Sequence, residues 1–144
     1  MNALHLDNQL CFAVHAASRA FDALYRRQLT ELGLTYPQYL VMLVLWEREP
    51  LSVKELGTAL RLDSGTLSPL LKRLEAAGLV DRERDPADER SVLVRLTPEG
   101  ARLRERAEPL PGRMLESTGM SPGELADLHA ALGRLTRSLT EAAR

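Results

Sequence analysis

Cys11 is the only cysteine in the chain, and an ionised thiol is a nucleophile toward peroxides and other electrophiles. A lone cysteine on a helix is ordinarily a small, inert, buried hydrophobe, so its neighbours decide what it means. His15 follows at i+4, where a protonated imidazole can lower the thiol pKa or the ring can simply pack. The pair is also half of a metal site. His5 and His129 stand at no matching spacing, however, so zinc is not expected and no cofactor is implied. Tyr25 comes fourteen residues after Cys11, on nearly the same helical face but about 21 Å further along the axis. Those two side chains cannot touch within one straight helix. They can meet between two copies whose first helices pair antiparallel across a two-fold axis.

A second set of residues offers recognition rather than reactivity. Ser64, Thr66, Ser68, Lys72 and Arg73 lie along one side of a segment whose other side carries Leu67, Leu70, Leu71 and Leu74. Small hydroxyls can approach base edges in a DNA major groove, while Lys and Arg reach phosphates or guanine. Pro69 sits inside the same segment, where it removes a backbone hydrogen bond. Rule-breaking of that kind is expected at functional sites.

The elements that must hold this face in place are legible. Ser52 and Glu55 have capping-box spacing, and Val53, Leu56, Gly57 and Leu60 follow on one side of the helix they start. Asp63 can cap the second helix and Gly78 stops it. Two short helices bury little alone, so both leucine faces must share one core, as in a helix-turn-helix. Strand periodicity then appears after Leu79 and Val80, where Val92, Val94 and Leu96 alternate with Leu93 and Arg95. Arg82 to Ser91 is expected to be a polar loop between the two arms, broken by Pro86. A hairpin beside such a helix can lay Arg82 and Arg84 along the DNA backbone and put an arginine into the minor groove. Arg90 is the candidate for that arginine, with Asp88 near enough to hold its guanidinium. The competing reading is a solvated charged loop.

The stretch SGTLSPLLKRLEAAGLVDRERDPADERSVLVRLTPEG resembles the MarR family of winged-helix repressors, and the likeness extends over almost the whole chain. Within that family the chain looks most like the OhrR regulators, which sense organic hydroperoxides. The polar helix, the D-P-x-D-x-R wing and the Thr-Pro helix start carry the likeness together. It implies a mainly α fold with a small β wing, dimerised through its N- and C-terminal helices, that binds a pseudo-palindromic operator in double-stranded DNA. It also implies an organic hydroperoxide as inducer and a cysteine hydrogen-bonded by two tyrosines, here Tyr25 and Tyr36. Phenol hydroxyls stabilise a thiolate by donating to it. Some relatives carry a further tyrosine one turn after the cysteine, where this chain has His15. No second cysteine exists to seal an oxidised Cys11, so a low-molecular-weight thiol would trap the sulfenic acid, or overoxidation would follow. Two other functions compete. One is a repressor of the same fold that senses a small aromatic or phenolic ligand in an interdomain cleft. The other is a one-cysteine thiol peroxidase, which the lack of an adjacent arginine or a repeated thiol partner argues against, so an enzyme is not expected.

The rest of the chain reads as helices. Asp7 can cap a long first helix that ends at Gly33, with Leu10, Val14, Ala17, Phe21 and Leu24 on one stripe. Thr35 and Gln38 form another capping box, with Pro37 tolerated in the first turn. The run YLVMLVLW is apolar all round, as in a central buried helix. Thr97 and Pro98 start a fifth helix, which Pro109 and Pro111 should break. Ser121 to Glu124 start the last one, with Leu125, Leu128, Leu132, Leu135 and Leu139 in a seam suited to a two-fold interface. No strand is expected outside the wing. The expected organisation is one domain over 1–144, with dimerisation helices at 1–34 and 98–144 around a DNA-binding lobe at 35–97.

Composition bounds this reading. The 144 residues are 44% hydrophobic and 27% charged, with a net charge of −1, so bulk attraction to nucleic acid is absent. From Arg61 to Arg95 seven cations face seven acids. DNA binding must therefore come from placement. The longest apolar run, Tyr39 to Trp46, is far too short to span a membrane. No signal peptide is expected from MNALHLDNQL. A single cysteine precludes an internal disulfide and points to a cytoplasmic location.

Overall fold

Thr35 and Ser52 each start a helix with the reciprocal bonds of a capping box. The Thr35 hydroxyl accepts from the Gln38 N–H (3.3 Å) while the Gln38 amide oxygen accepts from the Thr35 N–H (2.9 Å). Ser52 and Glu55 repeat the exchange at 3.0 and 3.3 Å. The computed structural model describes residues 2–144. It contains α1 (Leu10–Leu29), α2 (Tyr36–Glu47), β1 (Leu51–Ser52), α3 (Val53–Leu60), α4 (Ser64–Ala76), β2 (Val80–Asp85), β3 (Asp88–Leu96), α5 (Pro98–Ala107), α6 (Leu110–Ser117) and α7 (Pro122–Ala142). Two compact units result, one ending at Ala107 and one running from Glu108 to Arg144.

The first unit is a winged helix-turn-helix built round α2. Tyr39, Val41, Met42 and Leu45 of α2 are buried together with Leu29, Leu56, Leu67, Leu71, Leu74, Val80 and Val94. Each such side chain contributes roughly 2 kcal/mol of transfer free energy. The three strands are ordered β1-β3-β2 and all pair antiparallel.

Four expectations need correction here. Asp7 does not cap α1. It lies in a 3₁₀ turn, Leu6–Asn8, and α1 begins at Leu10 behind an uncapped Gln9. The Gln9 amide instead donates to the carbonyls of Ala3 and His5. Nor does α1 run to Gly33, because Thr30–Leu32 tightens into a 3₁₀ turn before Gly33 turns left-handed at φ +68°. The stretch expected as a polar loop is mostly strand. Pairing runs out to Asp85 opposite Asp88 and leaves only Pro86 and Ala87 in the turn. Ladder hydrogen bonds need no buried face, so a two-stranded ribbon can project with every side chain solvated. A two-residue strand outside the hairpin, Leu51–Ser52, also joins β3 opposite Val94 and Leu93.

The junction between α4 and α5 is tight. Gly78 takes φ +78°, which ends α4. Its carbonyl accepts from the Thr97 hydroxyl at 2.6 Å, and that hydroxyl in turn accepts the Gly100 N–H at 3.0 Å. The Trp46 indole donates to the Gly100 carbonyl at 2.9 Å. A Cβ on Gly100 would stand 2.1 Å from the Leu79 carbonyl oxygen.

The second unit is helical. Pro109 precedes α6 as the expected break. Ser121 and Glu124 cap α7 reciprocally at 3.2 and 3.0 Å. No residue of α7 is buried, and Leu128, Leu132 and Leu139 of its seam are exposed. Leu10, Val14 and Phe21 of the α1 stripe are exposed as well. No helix among the described residues is long and apolar enough to cross a membrane.

Gly100→Ala is expected to cost at least about 2 kcal/mol, since the new Cβ is fixed rigidly to the α5 backbone and the carbonyl it meets is backbone, so neither can swing away. Urea unfolding measures this. An unchanged midpoint would mean that α5 is free to shift away from the Leu79 carbonyl.

Candidate nucleic-acid interface and thiol site

The Asp63 carboxylate accepts from the Thr66 N–H at 2.8 Å and starts α4. Hydrogen bonding from the Thr66 side chain, followed by this backbone bond, holds its carboxyl below the usual range. Because Leu67, Leu70, Leu71 and Leu74 all turn inward, Ser64, Thr66, Ser68, Pro69, Lys72 and Arg73 form one exposed face. The helix continues through Pro69 without the hydrogen bond that an N–H would make there.

The wing arginines have separate fates. Arg82 is turned back onto α4, its guanidinium 3.1 Å from one Glu75 oxygen and its backbone N–H 3.2 Å from the other. Arg84 donates to the Glu89 carbonyl at 2.7 Å and braces the end of the ribbon. Arg90 projects freely, with 93% of its side chain exposed. Asp88 accepts from the Arg90 N–H at 3.1 Å and stands 3.6 Å from its Nε. Arg95 and Glu83 pair across the strands at 2.6 Å. Among the cations expected to reach DNA, Lys72, Arg73, Arg84 and Arg90 are exposed, Arg84 with its guanidinium donating to the Glu89 carbonyl, and Arg82 is the partly covered one.

Cys11 is exposed in the first turn of α1. His15 turns its ring toward the backbone, with Nδ1 2.7 Å from the Cys11 carbonyl oxygen. The carbonyl accepts, so Nδ1 carries the proton in this arrangement. Tyr25, in the last turns of α1, packs on Tyr36, the first residue of α2, with ring centroids 4.7 Å apart. Tyr39 completes the cluster at 5.8 Å from Tyr25. It was not singled out from the sequence, although it stands at i+3 from Tyr36 on one helix face, the spacing that could have found it. Burial, and then the neighbouring phenols, raise the pKa of Tyr25 and Tyr39; burial and then Asp22 raise that of Tyr36. All three hydroxyls therefore stay protonated and available as donors. Fourteen residues of helix keep Cys11 about 21 Å from Tyr25 in the same chain. One chain thus holds both halves of the predicted site but does not bring them together.

Two substitutions probe the DNA-binding face. If Arg90 enters a minor groove, Arg90→Ala lowers affinity for a specific duplex by at least about 1 kcal/mol while fold and oligomeric state persist. Equal affinities at matched salt would remove the wing tip from the interface. Pro69→Ala restores a backbone donor, so a protein as stable or more stable, with altered DNA binding, is expected. Lower stability combined with normal binding would contradict this view of Pro69.

Comparison with known proteins agrees with this geometry. The MarR family model matches residues 34–92. The chain is 48% identical over 136 residues to the organic hydroperoxide resistance transcriptional regulator of Bacillus subtilis, covering 94% of this chain and 92% of that protein. It is 58% identical over 119 residues to the HTH-type transcriptional regulator TtmR of Methylorubrum extorquens, covering 83% of this chain but 61% of that longer protein. Among solved structures, reduced AbfR bound to DNA superposes with a TM-score of 0.83 at 36% identity over 96% of both chains; AbfR is a Staphylococcus epidermidis protein. An outward helix face beside a charged β ribbon, on a chain this similar to such regulators over nearly its whole length, places the protein in the MarR family of winged-helix transcriptional regulators.

Proposed function

We propose that the protein is a cytoplasmic, homodimeric repressor that releases a pseudo-palindromic operator when an organic hydroperoxide oxidises Cys11. The observation that carries this reading is the packing of Tyr25, on the helix that exposes Cys11, against Tyr36 of α2 at 4.7 Å. Antiparallel pairing of two α1 helices sets Cys11 of each copy beside the Tyr25–Tyr36 pair of the other. It also covers the exposed stripe of Leu10, Val14 and Phe21. The B. subtilis relative's name and its 48% identity support the choice of oxidant. In this reading 1–34 and 98–144 dimerise, and 35–97 is the DNA-binding lobe.

The chemistry is short. Protonated phenols donate to the Cys11 thiolate and stabilise it. The sulfur attacks the terminal peroxide oxygen, the O–O bond breaks, and the alkoxide leaves and takes up a proton as the alcohol. A low-molecular-weight thiol then condenses with the sulfenic acid, releasing water and leaving a mixed disulfide. Added polar bulk at a packed interface shifts the dimer helices. The two α4 helices then no longer match half-sites about one DNA turn apart.

A second reading rests on a cleft of about 550 Å³ lined by Asp22, Arg26, Thr30, Thr35 and Tyr36, among others. Arg26 and the hydroxyls there suit a small aromatic acid.

Cys11→Ser separates the two. Serine cannot form a sulfenic acid, so the variant dimer should bind DNA normally and no longer let go on a stoichiometric dose of alkyl or lipid hydroperoxide. Tyr25→Phe and Tyr36→Phe should bind normally and respond more slowly. Fluorescence anisotropy before and after the dose is the measurement. Release by the serine variant would transfer the switch to the cleft.

A further inference from the structure

Arg82 has the residue type of a DNA contact, but its surroundings assign it another task. Two of its donors are committed to both oxygens of Glu75, the guanidinium at 3.1 Å and the backbone N–H at 3.2 Å. The guanidinium is largely covered, with 26% of the side chain exposed against 93% for Arg90. Glu75 is itself out of place by helix rules. It lies in the last turn of α4, where the helix dipole disfavours a carboxylate. Arg82 compensates for that position.

The backbone explains what such a pair can control. Only Ala77, Gly78 and Leu79 join α4 to β2, and Gly78 sits at φ +78°. A left-handed glycine is the natural pivot between a helix and a strand. The Glu75–Arg82 bonds close a ring across that pivot, tying the base of the wing to the end of α4.

We propose that Glu75 and Arg82 form a clamp that fixes the angle between the recognition helix and the wing, so that both are positioning residues for DNA binding and not DNA contacts. The pair lets α4 and the ribbon reach adjacent grooves in one rigid arrangement, and the clamp contributes to selectivity for a site more than to attraction for DNA. This rests on the family's DNA binding alone and is independent of how the protein senses its signal.

Electrostatics and positioning predict opposite signs for one substitution. Glu75→Gln removes an anion close to the DNA-binding face, which strengthens binding if only charge matters. Loss of the clamp weakens it. The probe is a fluorescein-labelled duplex of about 30 bp, selected by the wild-type protein from a random pool and titrated by anisotropy over a range of NaCl, beside an unselected duplex.

Glu75→Gln and Arg82→Met should each weaken binding to the selected duplex at least about fivefold, roughly 1 kcal/mol. The unselected duplex should be bound within about twofold of wild type, and the slope of log K against log salt should not change. Exchanging the partners, Glu75→Arg with Arg82→Glu, should recover part of the lost selectivity. Tighter or unchanged binding by Glu75→Gln overturns the clamp. So does a salt slope shallower by about 0.9 in Arg82→Met, the size expected when one phosphate is no longer neutralised. Thermal unfolding monitors folding throughout. Should a neutral variant fail to fold, Arg82→Lys takes its place with the same expectations, since it keeps the charge but replaces the planar guanidinium that donates to one Glu75 oxygen with a shorter ammonium that lacks that fixed donor geometry.

Discussion

Burial of one face of α4 is the constraint on which the molecule is organised. Leu67, Leu70, Leu71 and Leu74 turn inward onto α2, α3 and β2, and with 3.6 residues per turn the hydroxyls and cations have only the outer side left. The core does not tolerate rotation of that helix, because any turn would drive a leucine into water and Ser64 or Lys72 into the interior. The exposed face is therefore as well determined as the core itself. Everything around α4 refines its position: Asp63 at its start, Gly78 at its end, and the Thr97–Gly100–Trp46 chain of hydrogen bonds beside its exit.

The wing resolves an apparent difficulty in the charge count. Equal numbers of acids and cations between Arg61 and Arg95 would cancel if they were mixed in a loop. In a strand they are sorted. Val80, Arg82 and Arg84 pair with Leu96, Val94 and Val92, whereas Asp81 and Glu83 pair with Arg95 and Leu93. Alternation puts these two sets on opposite faces, so the cations share the side that carries the valines while the acids and Arg95 take the other. A net charge near zero thus coexists with a polarised ribbon. The same geometry keeps Glu83 busy with Arg95 at 2.6 Å, away from the cations of the opposite face.

Much of this was legible because it is local. Capping boxes, the leucine spacing of α4 and the stop at Gly78 each depend on residues within one turn of one another, and the chain obeys them. The ribbon between Arg82 and Ser91 was not legible as strand, because hydrophobic alternation marks burial and this segment buries little. β1 has two residues and therefore no period to detect. Asp7 had a capping residue's chemistry, but the chain tightens into a 3₁₀ turn over Leu6–Asn8 and α1 starts only at Leu10, which leaves Gln9 at the cap position. Arg82 stood out by type as a phosphate contact, and only the fold shows Glu75 seven residues earlier meeting it. At the proposed thiol site Cys11 and Tyr25 stood out by type and spacing, and Tyr36 through the resemblance to the OhrR regulators. Tyr39 did not, because it opens the apolar run of α2 and its burial looked like ordinary core.

The proposed sensor and the proposed dimer answer to the same physical requirement. A lone exposed thiol on a helix has no donor to stabilise its ionised form, and a helix with an exposed apolar stripe has no cover for it. Leu10, Val14 and Phe21 of α1 lie open in the single chain, as do Leu128, Leu132 and Leu139 of α7. Singly exposed apolar residues are ordinary, but two long helices that leave whole stripes open are characteristic of association surfaces. Because Cys11 and Tyr25 share a face about 21 Å apart on one helix, an antiparallel two-fold pair supplies each thiol with the other copy's phenols at the moment it covers the stripes. In such an arrangement oxidation cannot be a private event within one subunit. The atom that changes charge and size lies against the partner, so the chemical signal acts first on the contact that sets the distance between the two α4 helices.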